Sequence, residues 1–408
     1  MRALIDSAST QSRARRPLPD RAIRAVTTDA DGALEWVKFT LEDGTIEDRE
    51  LLTWIGGQAG LLWGAAPKVT RLFGLSSDKL EYTHGSYGHE IEHALADLLA
   101  ELFEPYIVNG AKGVGVRFFQ NGGDACAAAA RLCRAETGKQ LIATQGYHGA
   151  QDCFGHWTPA GTLPAGYLQA DVEKHRRFKF RDYAGMHSEA YYSACLMLEV
   201  PGLDDEAQIA DFLKYARHTA DEVDIPLVID DVVGGFRFGL RGSCERYNVQ
   251  ADLICLGKAM SATGKIAALV GRLDLMEGFE RDVFYSTTFG GDPGACAVAL
   301  ATIEWLKAHR KEVYGPEGHL QKIGRALKDG LNAIGVPVAG QPERSAFAFP
   351  NDDEWLRFCR GMIGQGVMVH RPNFPTLAHT LADVERTIAA ARMVRMIEIG
   401  EAKRYDSI

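Results

Sequence analysis

The sequence predicts an α/β protein: a mainly parallel sheet with helices on both faces, joined to a smaller α+β domain. Three observations predict it. From about residue 86 to 310, helical patterns alternate with short apolar strands, the signature of a sheet covered on both sides. One stretch within this region reads as a complete strand-helix-strand crossover. Beyond about 310 the texture changes to amphipathic helices separated by short strands.

The elements follow in order. Residues 1–65 read as short strands and turns, an N-terminal segment expected to pack with the small domain; 66–310 form the large domain and 311–408 the small one. The first twenty residues hold no apolar run of the kind a secretory signal needs, and Asp6 and Asp20 argue against a transit peptide. The T-D-A-D-G string around Asp29, Asp31 and Gly32 lacks the later ligand positions of a calcium loop and reads as a turn. The crossover begins with a strand at Cys195–Val200. Its helix carries Ile209, Phe212, Leu213, Ala216, Ala220 and Val223 at helical spacing, and it closes on a strand at Pro226–Asp230. A further strand, Leu253–Leu256, runs into Gly257 and Lys258. Asp230 and Lys258 thus fall at carboxyl ends of buried strands, the edge where open α/β sheets bind ligands. In the small domain, helices are expected near 316–333 and 382–398 and strands around Phe347 and Val367. Thr380 and Asp383 form a capping box before the last helix.

Composition bounds the function. The 45 Lys and Arg against 54 Asp and Glu give a formal charge of −9, which disfavours direct nucleic-acid binding. No apolar run approaches a membrane span. The eight cysteines are scattered without a C-x-x-C pair and read as reduced core thiols of a cytoplasmic protein, and no metal site is expected.

Four stretches carry chemistry. Gly122 and Gly123 precede an alanine-rich helix, where side-chain-free residues let a phosphate approach the first N–H groups. In G-Y-H-G, Tyr147 could stack on a flat cofactor or be a core tyrosine, while His148 reads as supporting rather than as a base. In L-V-I-D-D-V-V-G-G, a carboxylate buried at a strand end needs a cation, and a protonated pyridine nitrogen is one. In D-L-I-C-L-G-K, a lysine after an apolar strand is a candidate Schiff-base former, because desolvation lowers its pKa. The G-K pairs lack the earlier glycine of a phosphate-binding nucleotide loop, so a nucleotide-dependent enzyme is set aside.

Together these stretches resemble the class III (subgroup II) aminotransferases, nearest the branch of glutamate-1-semialdehyde aminomutase and sugar aminotransferases. The resemblance runs from about Gly85 to the C-terminal A-H-T-L-A-D-V. It implies the fold type I architecture of pyridoxal-phosphate-dependent transferases, with a seven-stranded sheet in the large domain. It also implies a homodimer with shared active sites. Residue by residue, it makes Lys258 the aldimine lysine and Asp230 the partner of the pyridine nitrogen. Tyr147 and Val232 would cover the two ring faces. Gly122 and Gly123 would lie at the phosphate, and Thr288, in S-T-T-F-G-G, would reach the phosphate of the partner's cofactor. D-R-A-I-R-A-V resembles the aminomutase segment that supplies a substrate-binding arginine, here Arg24, and Gly161–Tyr167 has the composition of a lid.

This chain departs from the pattern in several places. Gly123 replaces a hydroxyl residue, Asn121 a serine, Val233 a frequent glutamine and Lys265 a usual proline. The expected activity is pyridoxal-phosphate-dependent transfer of an amino group from a small amino donor to an oxo acceptor. An aminomutase, then a decarboxylase or epimerase on the same scaffold, are the alternatives, because the pocket selects which bond breaks. A catalytically inactive relative acting as a binding protein is disfavoured by the presence of both Lys258 and Asp230.

Overall fold

The structure is a computed structural model that describes residues 22–31, 33–41, 43–54, 61, 88–155, 165–202, 205–262 and 265–405. It divides into two compact units, one of residues 1–65 with 316–408 and one of 66–315. The first unit opens with an antiparallel meander of β1 (Ala22–Asp31), β2 (Leu34–Leu41) and β3 (Ile46–Thr53). Asp29 and Asp31 end β1, and Asp31 pairs with Leu34, so the acidic string serves a tight hairpin. Alternation along β2 buries Val37 and Phe39 against Leu51 and Ile363, as a half-covered strand requires.

In the second unit, helix α1 (Glu90–Phe103) precedes β4 (Val114–Phe119), and helix α2 (Gly122–Thr137) leads to β5 (Leu141–Gln145) and β6 (His175–Arg177). The crossover follows as β7 (Ser193–Glu199), α3 (Glu206–Glu222) and β8 (Leu227–Asp230), and then come β9 (Leu253–Leu256) and β10 (Ala267–Arg272). The seven strands lie in the order β4-β10-β9-β8-β7-β5-β6. Only β10 runs against the others, pairing antiparallel with both β4 and β9. Strands β8 and β9 are buried throughout, as parallel strands covered on both faces must be. The crossover strands differ from expectation at their ends. β7 starts at Ser193, whose hydroxyl donates to Glu189 O at 2.8 Å and so is satisfied inside the core. It stops at Glu199, the last residue paired with β8, just ahead of Val200 and Pro201. On α3 the buried stripe is Ile209, Phe212, Leu213, Ala216 and Ala220, while Val223 caps the helix, half-buried, instead of joining the stripe.

Helix α4 (Pro293–Ala308), followed by one short helical turn at Arg310–Val313, closes this unit. The first unit resumes with α5 (His319–Ala333), β11 (Val338–Gln341), β12 (Arg344–Phe347), α6 (Asp352–Gly364), β13 (Val367–Met368), β14 (Pro372–Asn373) and α7 (Leu381–Tyr405). β13 extends the N-terminal meander by pairing parallel with β3, which ties the two ends of the chain into one unit. Trp54 sits at the middle of its core, stacked 4.0 Å from the His379 ring, with its indole N–H donating to Thr387 Oγ1 at 2.8 Å. The expected capping box forms: Thr380 N donates to Asp383 Oδ2 at 2.8 Å and Asp383 N to Thr380 Oγ1 at 3.3 Å. Helix α6 is an element the sequence reading does not contain. Among the described residues, no helix is long and apolar enough to cross a membrane.

Candidate active site

Because β4, β5, β7, β8 and β9 run parallel, their carboxyl ends share one edge of the sheet. That edge collects Asn121–Gly123 after β4, Tyr147 and His148 after β5, Glu199 ending β7, Asp230 ending β8 and Lys258 after β9. Residues from five stretches of sequence meet there because the topology repeats the same crossover.

Asp230 is only 4% exposed. Its Oδ2 lies 2.8 Å from Nδ1 of His148, and its Oδ1 accepts from Val232 N at 3.2 Å. His148 is 2% exposed, and its Nε2 has no hydrogen-bond partner among the described residues. Burial works to lower the imidazole pKa, yet the hydrogen bond and charge of Asp230, with a smaller contribution from Cys126, push it up to about 10. Without this partner a buried carboxylate would cost several kcal/mol. Sulfur of Cys126, a nitrogen of His148 and an oxygen of Asp230 all lie within 4.8 Å of one another, a donor set that a thiophilic metal takes. The 2.8 Å separation of imidazole and carboxylate is that of a charge-assisted hydrogen bond, and the trio reads as a hydrogen-bonded support for Asp230.

Glycines bring three of the expected site stretches into contact. A Cβ on Gly122 would meet both Val232 methyls at 2.6 Å, and one on Gly257 would meet the same side chain at 3.3 Å. Val232 therefore packs between the start of α2 and the residue before Lys258. At the helix start, the Asn121 side chain accepts from Asp124 N at 3.0 Å, leaving the N–H groups of Gly122 and Gly123 without a partner among the described residues. The side chain of Gln151 lies against Gly123.

Tyr147 is 57% exposed, a large aromatic ring held open at the sheet edge rather than a core tyrosine. Its backbone N–H donates to Glu199 Oε2 at 3.0 Å, and Gly146 before it has φ 107°, so the ring stands on a fixed turn. Burial raises the Tyr147 phenol pKa, with neighbouring Tyr167, Asp230 and Glu199 adding to the shift. Lys258 is half-buried and begins a single 3₁₀ turn to Met260. Its φ of 44° lies in the left-handed region, which costs a non-glycine residue on the order of 1–3 kcal/mol and fixes where the side chain departs.

Thr288 is exposed, in an irregular segment that runs beside edge strand β4: Arg117 Nη2 donates to Tyr285 O at 2.7 Å, and Gly290 abuts Phe118 O. Arg24 lies on β1, paired with Thr40, in the other unit, and its side chain is outside the described residues. Most of the expected lid, Gly161–Pro164, is also outside them. Sequence reasoning gave His148 a supporting role without naming what it supports, and it did not single out Glu199 or Gln151. The alternation of strands and turns could have found Glu199, which closes a strand as Asp230 does.

Residues 205–342, which include Asp230, Val232, Lys258 and Thr288, match the family described as aminotransferase class-III. An ω-transaminase from Sphaerobacter thermophilus is similar over 93% of this chain and 92% of its own, with a TM-score of 0.74 and 20% identity. A β-phenylalanine aminotransferase from Variovorax paradoxus is similar over 96% and 95%, with TM-score 0.74 and 21% identity. The ornithine aminotransferase of Toxoplasma gondii is similar over 98% and 95%, at 0.74 and 18%. The chain thus has the α/β fold of the pyridoxal-phosphate-dependent transaminases and, from 205 to 342, the sequence pattern of the class-III aminotransferases.

Proposed function

We propose that this protein is a pyridoxal-phosphate-dependent aminotransferase that moves an amino group from a small amino donor to an oxo acceptor. The observation that carries the reading is the meeting, at one sheet edge, of a buried carboxylate and a lysine from the adjoining strand end. The residues fit the cofactor. Asp230 keeps lone pairs for a ring N–H beyond its bonds to His148 and Val232, and two glycine N–H groups at the start of α2 suit a phosphate. The exposed Tyr147 ring offers a face for stacking.

Pyridoxal phosphate supplies an electrophilic carbon and an electron-accepting ring. Lys258 Nζ would hold the cofactor at that carbon and, once freed by an amino donor, would serve as the base that takes up and returns the substrate proton. Asp230 keeps the ring nitrogen protonated, and His148 Nδ1 holds the carboxylate in place. Tyr147 and Val232 would cover the two faces of the bound ring and exclude water from it. The exposed Thr288 suits a phosphate contact in a second copy of the chain, so the working unit is a homodimer. Arg24 is the candidate clamp for a substrate carboxylate. The eight cysteines, all free and none exposed, suit a reducing cytoplasm.

The test is a panel of amino donors. With a donor alone, the absorbance of the aldehyde form should bleach in proportion to enzyme, and a separate oxo acceptor should restore it. Borohydride should fix the cofactor on Lys258, and Lys258→Ala should yield no trapped lysine. A substrate that isomerises with its nitrogen retained in the same molecule, without bleaching, would replace this reading with the aminomutase one.

A further inference from the structure

The side chain of Gln151 occupies an unusual place. A Cβ on Gly123 would lie 2.4 Å from its Oε1 and 2.7 Å from its Nε2, and a Cβ on Gly149 would lie 2.4 Å from the same Oε1 and 2.7 Å from Gly123 Cα. The amide is wedged between two glycines, in space that any other residue at either position would fill. One hydrogen of Nε2 goes to Asp124 Oδ1 at 3.0 Å. Nε2 carries two hydrogens, so one remains. Oε1 is buried with no partner among the described residues. Asp124, whose other oxygen accepts from Asn121 Nδ2 at 2.6 Å, is a carboxylate in the first turn of α2, beside the N–H groups that would take a phosphate.

We propose that Gln151 is a cofactor-binding residue that completes the phosphate site, filling with its amide the space left open by Gly123. It would do two things there. Its first N–H, with Asn121, ties down the Asp124 carboxylate and draws that charge away from the anion. Its second N–H donates to a phosphate oxygen. The inference rests on the pyridoxal-phosphate reading above and names which side chain recognises the phosphate end.

The test separates phosphate recognition from everything else at the site. Apoprotein prepared from the holoenzyme is titrated with pyridoxal phosphate and with pyridoxal, which lacks the phosphate. Gln151→Ala should lower the preference for the phosphorylated form by about ten- to a hundredfold, the range for a hydrogen bond to a charged group. Gln151→Glu, nearly the same shape, should lower it further by setting a second carboxylate beside Asp124, while pyridoxal binding stays within a few fold.

Space makes a reciprocal prediction. Gly123→Ser alone should weaken pyridoxal phosphate, because the new side chain collides with the amide. In a Gln151→Ala background the same serine fits, and its hydroxyl should restore most of the preference. An unchanged preference in Gln151→Glu, or the same loss for both ligands, would overturn the proposal while leaving the function intact. A wild-type protein that neither prefers pyridoxal phosphate nor traps it on Lys258 would overturn the functional reading and, with it, this one.

Discussion

At the scale of single residues, the decisive question is which carboxylate faces the cofactor, since Asp230 and Asp231 are adjacent in sequence. Their surroundings separate them. Asp231 accepts from Ser243 N at 2.8 Å and from Ser243 Oγ at 2.5 Å, which commits it to the loop after β8. Among the described residues, the Asp230 carboxylate bonds only His148 and Val232 N, at the sheet edge. Asp230→Asn is therefore expected to keep the fold and to lower turnover by three to four decades, for a loss of about 4–5 kcal/mol in carbanion stabilisation. A variant within tenfold of wild type would refute the assignment. His148 gives a pH prediction. Its pKa is raised to about 10 by Asp230, against an ordinary value near 6.5 when unfolded, so its contribution to stability is complete below pH 6.5 and fades as pH rises towards 10. In urea unfolding of the apoprotein, the advantage of wild type over His148→Gln should shrink steadily across that window. A difference that does not vary with pH would show that the imidazole is neutral throughout.

At the scale of elements, what is local in sequence was legible and what depends on distant partners was not. The strand Leu253–Leu256, the stripe on α3 and the Thr380–Asp383 box each follow from residues within a few positions of one another. Helix α6 follows Pro350 and carries Gly361 and Gly364 near its end, where glycine is a poor helix former, so its local helical signal is weak. Packing overrides that propensity: a Cβ on Gly361 would meet Val394 of α7 at 2.7 Å, so the glycine permits the two helices to approach. The site divides the same way. Asp230 stands out because it ends an apolar strand and Lys258 because it follows one, whereas the pairing of His148 with Asp230 spans 82 positions and leaves no local trace. The contact between the start of α2 and Val232 also lies beyond any local pattern, and it makes a prediction. Gly122→Ala places a methyl 2.6 Å from both Val232 methyls and should destabilise the apoprotein by about 1–3 kcal/mol. Thermal unfolding of Gly122→Ala with Val232→Ala should recover most of that loss, because the double variant reopens the space. Additive losses would mean that the two positions do not press on each other.

For the whole molecule, the question is whether one chain holds a complete site. Thr288 lies in an exposed segment beside edge strand β4 with Phe284 81% and Phe289 50% exposed, two aromatic side chains a second copy would cover. If two chains exchange this segment, each site takes Lys258 and Asp230 from one chain and Thr288 from the other. Complementation between inactive variants then becomes possible. Lys258→Ala destroys the site built on its own lysine but still offers an intact Thr288 to its partner. Thr288→Asp, which sets a negative charge at the phosphate, keeps its lysine and spoils only the partner's site. Mixed, unfolded and refolded together at equal concentration, the two should form hybrids in which one site has both intact residues. Half of the dimers are hybrids and each has one good site of two, so activity should return to roughly a quarter of wild type in a closed two-fold assembly. If Thr288 serves the chain that carries it, every site in the mixture keeps one lesion and no activity returns. Sedimentation of the mixture establishes that dimers have formed, so an inactive dimer refutes the exchange and an inactive monomer refutes the dimer itself.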